Sequence, residues 1–411
     1  MKHRVVITGI GAVTPIGTGA EGLWQGVRDG TTAVRTITRF DPSDFSSRMA
    51  AEIDFCPTDH LPAKQARRTD RYSQFALVAA KMALEDAGIT AEQAAKAGAG
   101  VYAGSALGGV AFAEDQHRAY LSKGASSVNP MLALSVFGGA ASSNISIEMG
   151  LTGPSLANGN SCAAGMVAIG EATRMIQDGR VPVMLAGGAE APLSPLVFGA
   201  FTWIRVLSTR NDDPATSSRP FDRDRDGFVM GEGGAMLVLE SLEHATARGA
   251  RIYAEVQGYG TSSDAHHMTA PHPEGTHAAR AMTEAILSAG LSPKDIDYVN
   301  AHGSSTTLND STECKAIRLA LGDRANKVAV SGTKGQHGHA LGATGAMEAA
   351  ICAMALERGY LPGTTNLANQ DPACDLDVIP PGGREQRVSH LVTNAFGFGG
   401  INASLVLGAA D

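Results

Sequence analysis

The chain has 411 residues, 44% of them hydrophobic, and a formal net charge of −8. That length allows two domains or one large duplicated one with a full core, and the acidic balance without a basic tail argues against a general nucleic-acid binder. Five cysteines without regular spacing suit a reducing cytoplasm better than a disulfide framework, and no uncharged apolar run reaches the length of a membrane span.

The N-terminus, Met1-Lys2-His3-Arg4-Val5-Val6-Ile7, shows no signal-peptide pattern and enters a strand predicted over Arg4 to Thr8. Gly9-Ile10-Gly11 follows, but Thr14 and Pro15 stand where a dinucleotide fingerprint needs its third glycine. Residues 31–60 read as an irregular excursion. Lys64-Gln65-Ala66-Arg67-Arg68-Thr69-Asp70-Arg71 opens a long helix through Ala87, with a basic start that an acidic partner could meet or that is a solvated face. A strand over Gly100 to Gly104 and a helix over residues 130–149 precede a small-residue turn, Asn160-Ser161-Cys162-Ala163-Ala164-Gly165, and a helix over Met166 to Gly179. A thiol at a helix start is expected to have a lowered pKa and to act as a nucleophile; the bland alternative is a buried structural cysteine.

Val181 to Ala186 is a buried strand, ending in Gly187-Gly188-Ala189-Glu190. Asp222-Arg223-Asp224-Arg225-Asp226-Gly227 imitates a calcium loop, but Gly233 occupies position 12, where a bidentate Glu belongs. A structural turn of Asp/Arg pairs is the better reading. After a strand over Ala235 to Glu240 the pattern restarts. Strands are predicted at Ile252 to Gly260, Ile296 to Ala301, Val328 to Ser331, Val388 to Thr393 and Ala403 to Leu407. Helices are predicted at His277 to Gly290, from Asp310, and from about Gly342 through Leu356. Two similar strand–helix halves predict an internally duplicated α/β fold, divided near residue 250 into 1–250 and 251–411.

Three distant polar positions follow strands in Gly/Ser/Thr-rich turns: Cys162, His302, and the segment Lys334 to His339. Ligands in α/β sheets bind beyond the carboxyl ends of strands, so these could share a pocket. A hydrolase needs one proton-shuttling imidazole. Two neutral imidazoles donating to one oxygen suit an enolate, such as decarboxylation of a malonyl thioester generates. The carbanion would attack an acyl group on Cys162, with backbone N–H groups of Cys162 and the Phe398 turn as an oxyanion hole. His302 alone could equally be a core histidine. His337-x-His339 and the group His266, His267, His272 and His277 could suggest metal, but match no common zinc pattern, and no metal is expected.

Together these motifs resemble the β-ketoacyl-acyl-carrier-protein synthases, condensing enzymes of the thiolase superfamily, over essentially the whole length. The matching pieces include Val5-Val6-Ile7-Thr8-Gly9, Ser161-Cys162-Ala163-Ala164-Gly165, Arg219-Pro220-Phe221-Asp222, Asn300-Ala301-His302-Gly303, Lys334 to Gly345 and Asn394-Ala395-Phe396-Gly397-Phe398-Gly399-Gly400. The resemblance implies a five-layered αβαβα thiolase-like fold with two pseudo-duplicated halves, usually dimeric. It implies a triad of Cys162, His302 and His339, with Lys334 supporting the second histidine and paired with Glu348. Phe398 resembles a gating phenylalanine. Ser304, Thr306, His267 and Thr269 match positions holding the phosphopantetheine arm, and Leu107 and Phe201 match acyl-pocket positions. Arg67, Arg68 and Arg205 match residues that meet an acidic acyl carrier protein.

No cofactor is implied beyond that carrier-borne arm, and the expected location is cytoplasmic. A thiolase would carry a second cysteine in the last Gly-rich turn, an initiating synthase Asn in place of His339, and a chain length factor no Cys162. The implied reaction is therefore two-carbon elongation in type II fatty acid synthesis, as a homodimer. The alternative is the ketosynthase subunit of a type II polyketide system, such as one making polyenes, paired with a chain-length-factor-like subunit; a non-catalytic partner subunit is the remote one. The chain departs from the family's Lys-Ser-Met-Thr-Gly-His with Lys334-Gly335-Gln336-His337-Gly338-His339, carries Asn158-Gly159-Asn160 before the cysteine turn, and has Ser304 where Thr is usual.

Overall fold

The computed structural model describes residues 2–410. Ten strands build the centre of one mixed sheet: β1 (Val5–Thr14), β2 (Gly100–Gly104), β3 (Ser155–Asn158), β4 (Val183–Glu190), β5 (Gly233–Ser241), β6 (Ala254–Ser263), β7 (Tyr298–Asn300), β8 (Ala329–Ser331), β9 (His390–Gly397) and β10 (Ile401–Gly408). The first five run in the order β3-β2-β4-β5-β1, and the second five repeat it as β8-β7-β9-β10-β6. In each half the first two pairings named, β3/β2 and β2/β4 or β8/β7 and β7/β9, are parallel and the others antiparallel. The halves join where Val6 and Ile7 of β1 pair with Glu255 and Ala254 of β6.

The helices repeat as well. In the first half they are α1 (Arg71–Asp86), α2 (Ala140–Met149) and α3 (Ala164–Gln177); in the second, α4 (Thr276–Ser288), α5 (Thr307–Leu321) and α6 (Thr344–Arg358). α1 and α2 cover one outer face and α4 and α5 the other, each over its own apolar cluster. α3 and α6 lie between the half-sheets, where Met166, Ile169, Met347 and Ile351 join Ile7, Leu237 and Leu405. The result is an α-β-α-β-α stack. Gly165 of α3 and Gly345 of α6 let these two helices meet closely: a Cβ on Gly165 would lie 2.9 Å from the Gly342 carbonyl oxygen, and one on Gly345 3.0 Å from Met166 Cβ. That contact brings the turns preceding α3 and α6 side by side.

Some boundaries differ from the sequence expectation. β1 continues past Thr8 to Thr14, because Gly9 and Gly11 leave room for α1 to lie on its backbone. A Cβ on Gly11 would fall 1.8 Å from the Ala79 carbonyl oxygen. Gly11→Ala should therefore cost about 1–3 kcal/mol through overpacking, read as a lowered melting temperature. The long helix expected from residue 64 is broken. A short turn of helix, Ala63–Ala66, ends, and α1 restarts at Arg71 after Asp70, whose carboxylate accepts from the Tyr72 N–H at 3.3 Å. Gly138 and Gly139 likewise split residues 130–149 into Leu132–Ser135 and α2. A helix over Val110–Lys123 and the edge strand β3 escaped the sequence reading, since neither buries a side-chain face. Asp222 accepts from the N–H groups of Asp224, Ala368 and Asn369, and Arg225 pairs with Asp371 at 2.6 Å, so this run ties two loops together.

Candidate active site

Cys162, His302 and Phe398 each lie just beyond the carboxyl end of a strand, β3, β7 and β9. Cys162 stands in a single 3-10 turn, Ser161–Ala163, between β3 and α3. Ser161 takes φ = 52°, a left-handed conformation that costs a non-glycine residue of order 1–3 kcal/mol. The turn before α6 repeats it at Leu341, with φ = 41°. Asn158 holds the cysteine turn, donating to the Ala164 carbonyl at 3.0 Å and accepting from the Asn160 N–H at 3.1 Å. The polar side chain of Asn158 is thus spent on backbone.

His302 follows β7. Its N–H and that of Gly303 both donate to the buried Glu313 carboxylate at 2.8 Å. His339 precedes the turn into α6, and its Nδ1 lies 3.0 Å from the Thr344 hydroxyl. With that hydroxyl donating, Nε2 carries the proton of the neutral ring. The two imidazoles meet edge to face, centroids 5.2 Å apart. Both are held well below the ordinary 6.5, first by burial and then by the nearby Lys334 charge, so both are neutral.

Lys334 is fully buried and donates to Glu348 at 2.7 Å and to the backbone carbonyl of His302. Beside the pairing with Glu348, the lysine's hydrogen bond reaches the first histidine's carbonyl, and its charge lowers the pKa of His339. Burial pushes the Glu348 carboxyl up, against Lys334 and the Thr333 hydroxyl.

The thiol departs further from expectation. Burial is the largest influence on Cys162 and raises its pKa above the ordinary 9.0, against the Ser161 hydroxyl, the Phe398 N–H and the Lys334 charge. A helix start favours the thiolate, but this thiol is 7% exposed and desolvation outweighs that advantage. Alkylation of Cys162 should thus be slow at neutral pH and still be rising above pH 9, where a lowered pKa would give a plateau; its rate against pH checks this.

A cavity of about 150 Å³ joins these groups. Cys162, His302, His339 and Phe398 line it together with Ser304, Thr306, His267, Thr269 and Arg205, of which Arg205, His267 and Thr269 are exposed. Ser304 and Thr306 hydroxyls are 3.0 Å apart, and Thr306 also caps α5 through the Asn309 N–H. His267 Nδ1 accepts from the Thr269 and Ala270 N–H groups, which leaves its Nε2–H outward. Phe201 stacks on Phe398 at 6.2 Å, and Leu107 packs in the same apolar cluster as Cys162. Arg67 and Arg68 are exposed and, unlike Arg205, do not line this cavity.

Several supporting groups were not singled out from the sequence. Glu190, buried, accepts from the N–H groups of Ala106, Leu107 and Gly342 and so ties the Leu107 loop to the second half; burial lifts its carboxyl to about 7. A lone carboxylate ending an apolar strand was its signal. Asp264 N–H donates to the Gly400 carbonyl at 2.8 Å and the Gly399 N–H to Met268 at 2.7 Å, fastening the Phe398 turn to the 264–270 loop. Glu313, inside α5, gave no pattern beyond an acid in a helix.

The family models for the β-ketoacyl synthase N-terminal and C-terminal domains match residues 2–245 and 253–368. The chain is 45% identical over 405 residues to 3-oxoacyl-[acyl-carrier-protein] synthase 2 of Synechocystis sp., covering 98% of this chain and 97% of that one. It is 44% identical to the protein of the same name from Coxiella burnetii, over 99% and 98% of the two chains. Among solved structures, the ishigamide ketosynthase/chain length factor matches with a TM-score of 0.93 and 37% identity, and a β-ketoacyl synthase from Burkholderia phymatum STM815 with 0.92 and 38%, each over 100% of both chains. Fold, strand-end chemistry and full-length similarity agree: the chain belongs to the β-ketoacyl synthase family.

Proposed function

We propose that this chain joins a malonyl unit on an acyl carrier protein to an acyl group carried on Cys162, releasing carbon dioxide and a β-ketoacyl-carrier protein two carbons longer. The observation that carries this reading is the pair of neutral imidazoles, His302 and His339, facing one cavity with Cys162. In the first half-reaction the Cys162 sulfur attacks the acyl thioester, and the carrier thiol leaves with the proton. In the second, malonyl loses carbon dioxide, and its electron pair becomes an enolate on the thioester oxygen, held by the two N–H donors. That carbon attacks the acyl carbonyl, the N–H groups of Cys162 and Phe398 hold the oxyanion, and the cysteine sulfur is expelled as a thiolate, which takes up a proton from solvent to restore the neutral thiol.

Ser304, Thr306, His267 and Thr269 would hold the phosphopantetheine arm, Leu107 and Phe201 the acyl chain, and Phe398 the gate between them. Arg205 at the rim, with Arg67 and Arg68, would meet the acidic carrier protein. Residues 1–250 would form the half carrying the nucleophile and 251–411 the half carrying both histidines. Among the described residues no helix is long and apolar enough to cross a membrane, and a cytoplasmic location fits that and the free cysteines.

Elongation of saturated chains in fatty acid synthesis is the reading the 3-oxoacyl synthase relatives support. Asn158, Gln336 and His337 turn to backbone or buried partners and do not line the cavity, so they do not argue for another substrate. The ishigamide ketosynthase/chain length factor, alike over its whole length, favours the second reading: a polyketide ketosynthase acting beside such a subunit. The test uses the purified chain, without a partner, on carrier-bound saturated and unsaturated acyl groups of several lengths. Turnover of saturated chains by the lone protein supports the first reading. Acylation without product until a homologous subunit is added supports the second.

A further inference from the structure

His337 is buried, conspicuously polar, and outside the substrate cavity. Its Nε2 lies 3.0 Å from the Thr333 hydroxyl oxygen. That hydroxyl donates to Glu348 Oε1 at 3.1 Å, and the same carboxylate oxygen accepts from Lys334 at 2.7 Å. Lys334 in turn donates to the His302 carbonyl.

The direction of this chain follows from the one proton of Thr333. A hydroxyl has one proton, and Thr333 gives it to a carboxylate, so its oxygen must accept from His337 Nε2–H. The ring is neutral: burial and the Lys334 charge hold its pKa down to about 3. Its Nδ1 has no side-chain partner among the described residues, and beside the backbone of Gly338 the Nε2 contact is the ring's single side-chain hydrogen bond. Glu348 is similarly one-sided. Both side-chain bonds fall on Oε1, and Oε2 has none. The carboxylate is therefore oriented by Lys334 and Thr333 alone, and His337 decides which way the Thr333 hydroxyl points. If that hydroxyl is free to turn, Glu348 loses one of its two anchors. Lys334 then loosens from the carbonyl that sets the His302 turn.

We propose that His337 is a positioning residue of the condensing site, aligning His302 through Thr333, Glu348 and Lys334. The proposal rests on the functional reading above, because alignment of His302 matters most where an enolate forms. Glutamine can place an amide N–H close to the Nε2 position of histidine, whereas asparagine reaches only toward Nδ1 and methionine has no donor. His337→Met and His337→Asn should lower kcat for malonyl decarboxylation about ten- to a hundredfold, the scale of a small misplacement at a reacting centre. Cys162 acylation and the KM for the acyl carrier should stay within about twofold, since neither involves His302 alignment. His337→Gln should restore most of the rate. Thr333→Val should match His337→Met, and the double variant should be no slower than either single one.

Carbon dioxide release and intact-mass acylation, measured together on the full chain, read all of this. Wild-type decarboxylation with an unaffected His337→Met overturns the proposal, as does equal impairment of the Gln and Met variants or a multiplicative double variant. A wild-type protein that neither acylates nor decarboxylates instead overturns the functional reading, and this proposal with it.

Discussion

Cys162→Ser should leave the protein unable to accept an acyl group, with transfer reduced on the order of 10⁴-fold or more. The thiol itself is neutral in the resting site, because burial raises its pKa. A serine hydroxyl there would be weaker still, with a far higher pKa and the same desolvation. The change is small in volume and leaves Ser161, Gly397 and the close contact of α3 with α6 undisturbed. His302 and His339 keep their positions, so malonyl decarboxylation should persist within about tenfold of wild type. Loss of both reactions together would mean that the cysteine does more than carry the acyl group. Intact mass reports the adduct, and released carbon dioxide reports decarboxylation.

His302→Ala and His339→Ala should show the converse. Each removes one N–H donor from the enolate, which should cost about 10²–10³-fold in decarboxylation. Some acylation of Cys162 should survive, because the sulfur and the N–H groups of Cys162 and Phe398 remain. The wild-type pH dependence is a second reading of the same state. Both imidazoles sit well below the ordinary 6.5 through burial and the Lys334 charge. A lowered base stays neutral down to its folded pKa, so decarboxylation should be flat from about pH 6 to about pH 8. A rate that falls with an inflection near pH 6.5 as acid is added would show that one ring titrates normally.

Cys162 and His302 were legible because each follows a strand in a small-residue turn, a position with no packing reason for a polar side chain. His339, by contrast, is picked from the segment Lys334 to His339 by the family resemblance alone. The duplicated architecture was legible because hydrophobic strands and helices repeat in the same order. Their exact ends were not. Gly9 and Gly11 look like strand breakers, yet they serve the close approach of α1. Asp70 and Gly138 divide helices that periodicity joins. The direction of the Cys162 shift was misread for a physical reason. A helix start is visible in sequence, whereas the depth at which a thiol is buried depends on distant chain, here Phe228, Met230 and Leu341 of the same apolar cluster. Glu313 and Asp264 were missed on the same ground: their partners, the His302 turn and the Gly400 turn, come from distant or irregular chain.

The measurement that tests the account most directly follows the wild-type chain through one turnover with an acyl-carrier protein and malonyl-carrier protein. Intact mass and peptide mapping locate the acyl group, and carbon dioxide is counted against β-ketoacyl product. The account predicts a single adduct on Cys162, discharged on addition of malonyl-carrier protein, with carbon dioxide and product formed in equal amounts. An adduct on another residue, or product formed without carbon dioxide, would contradict it.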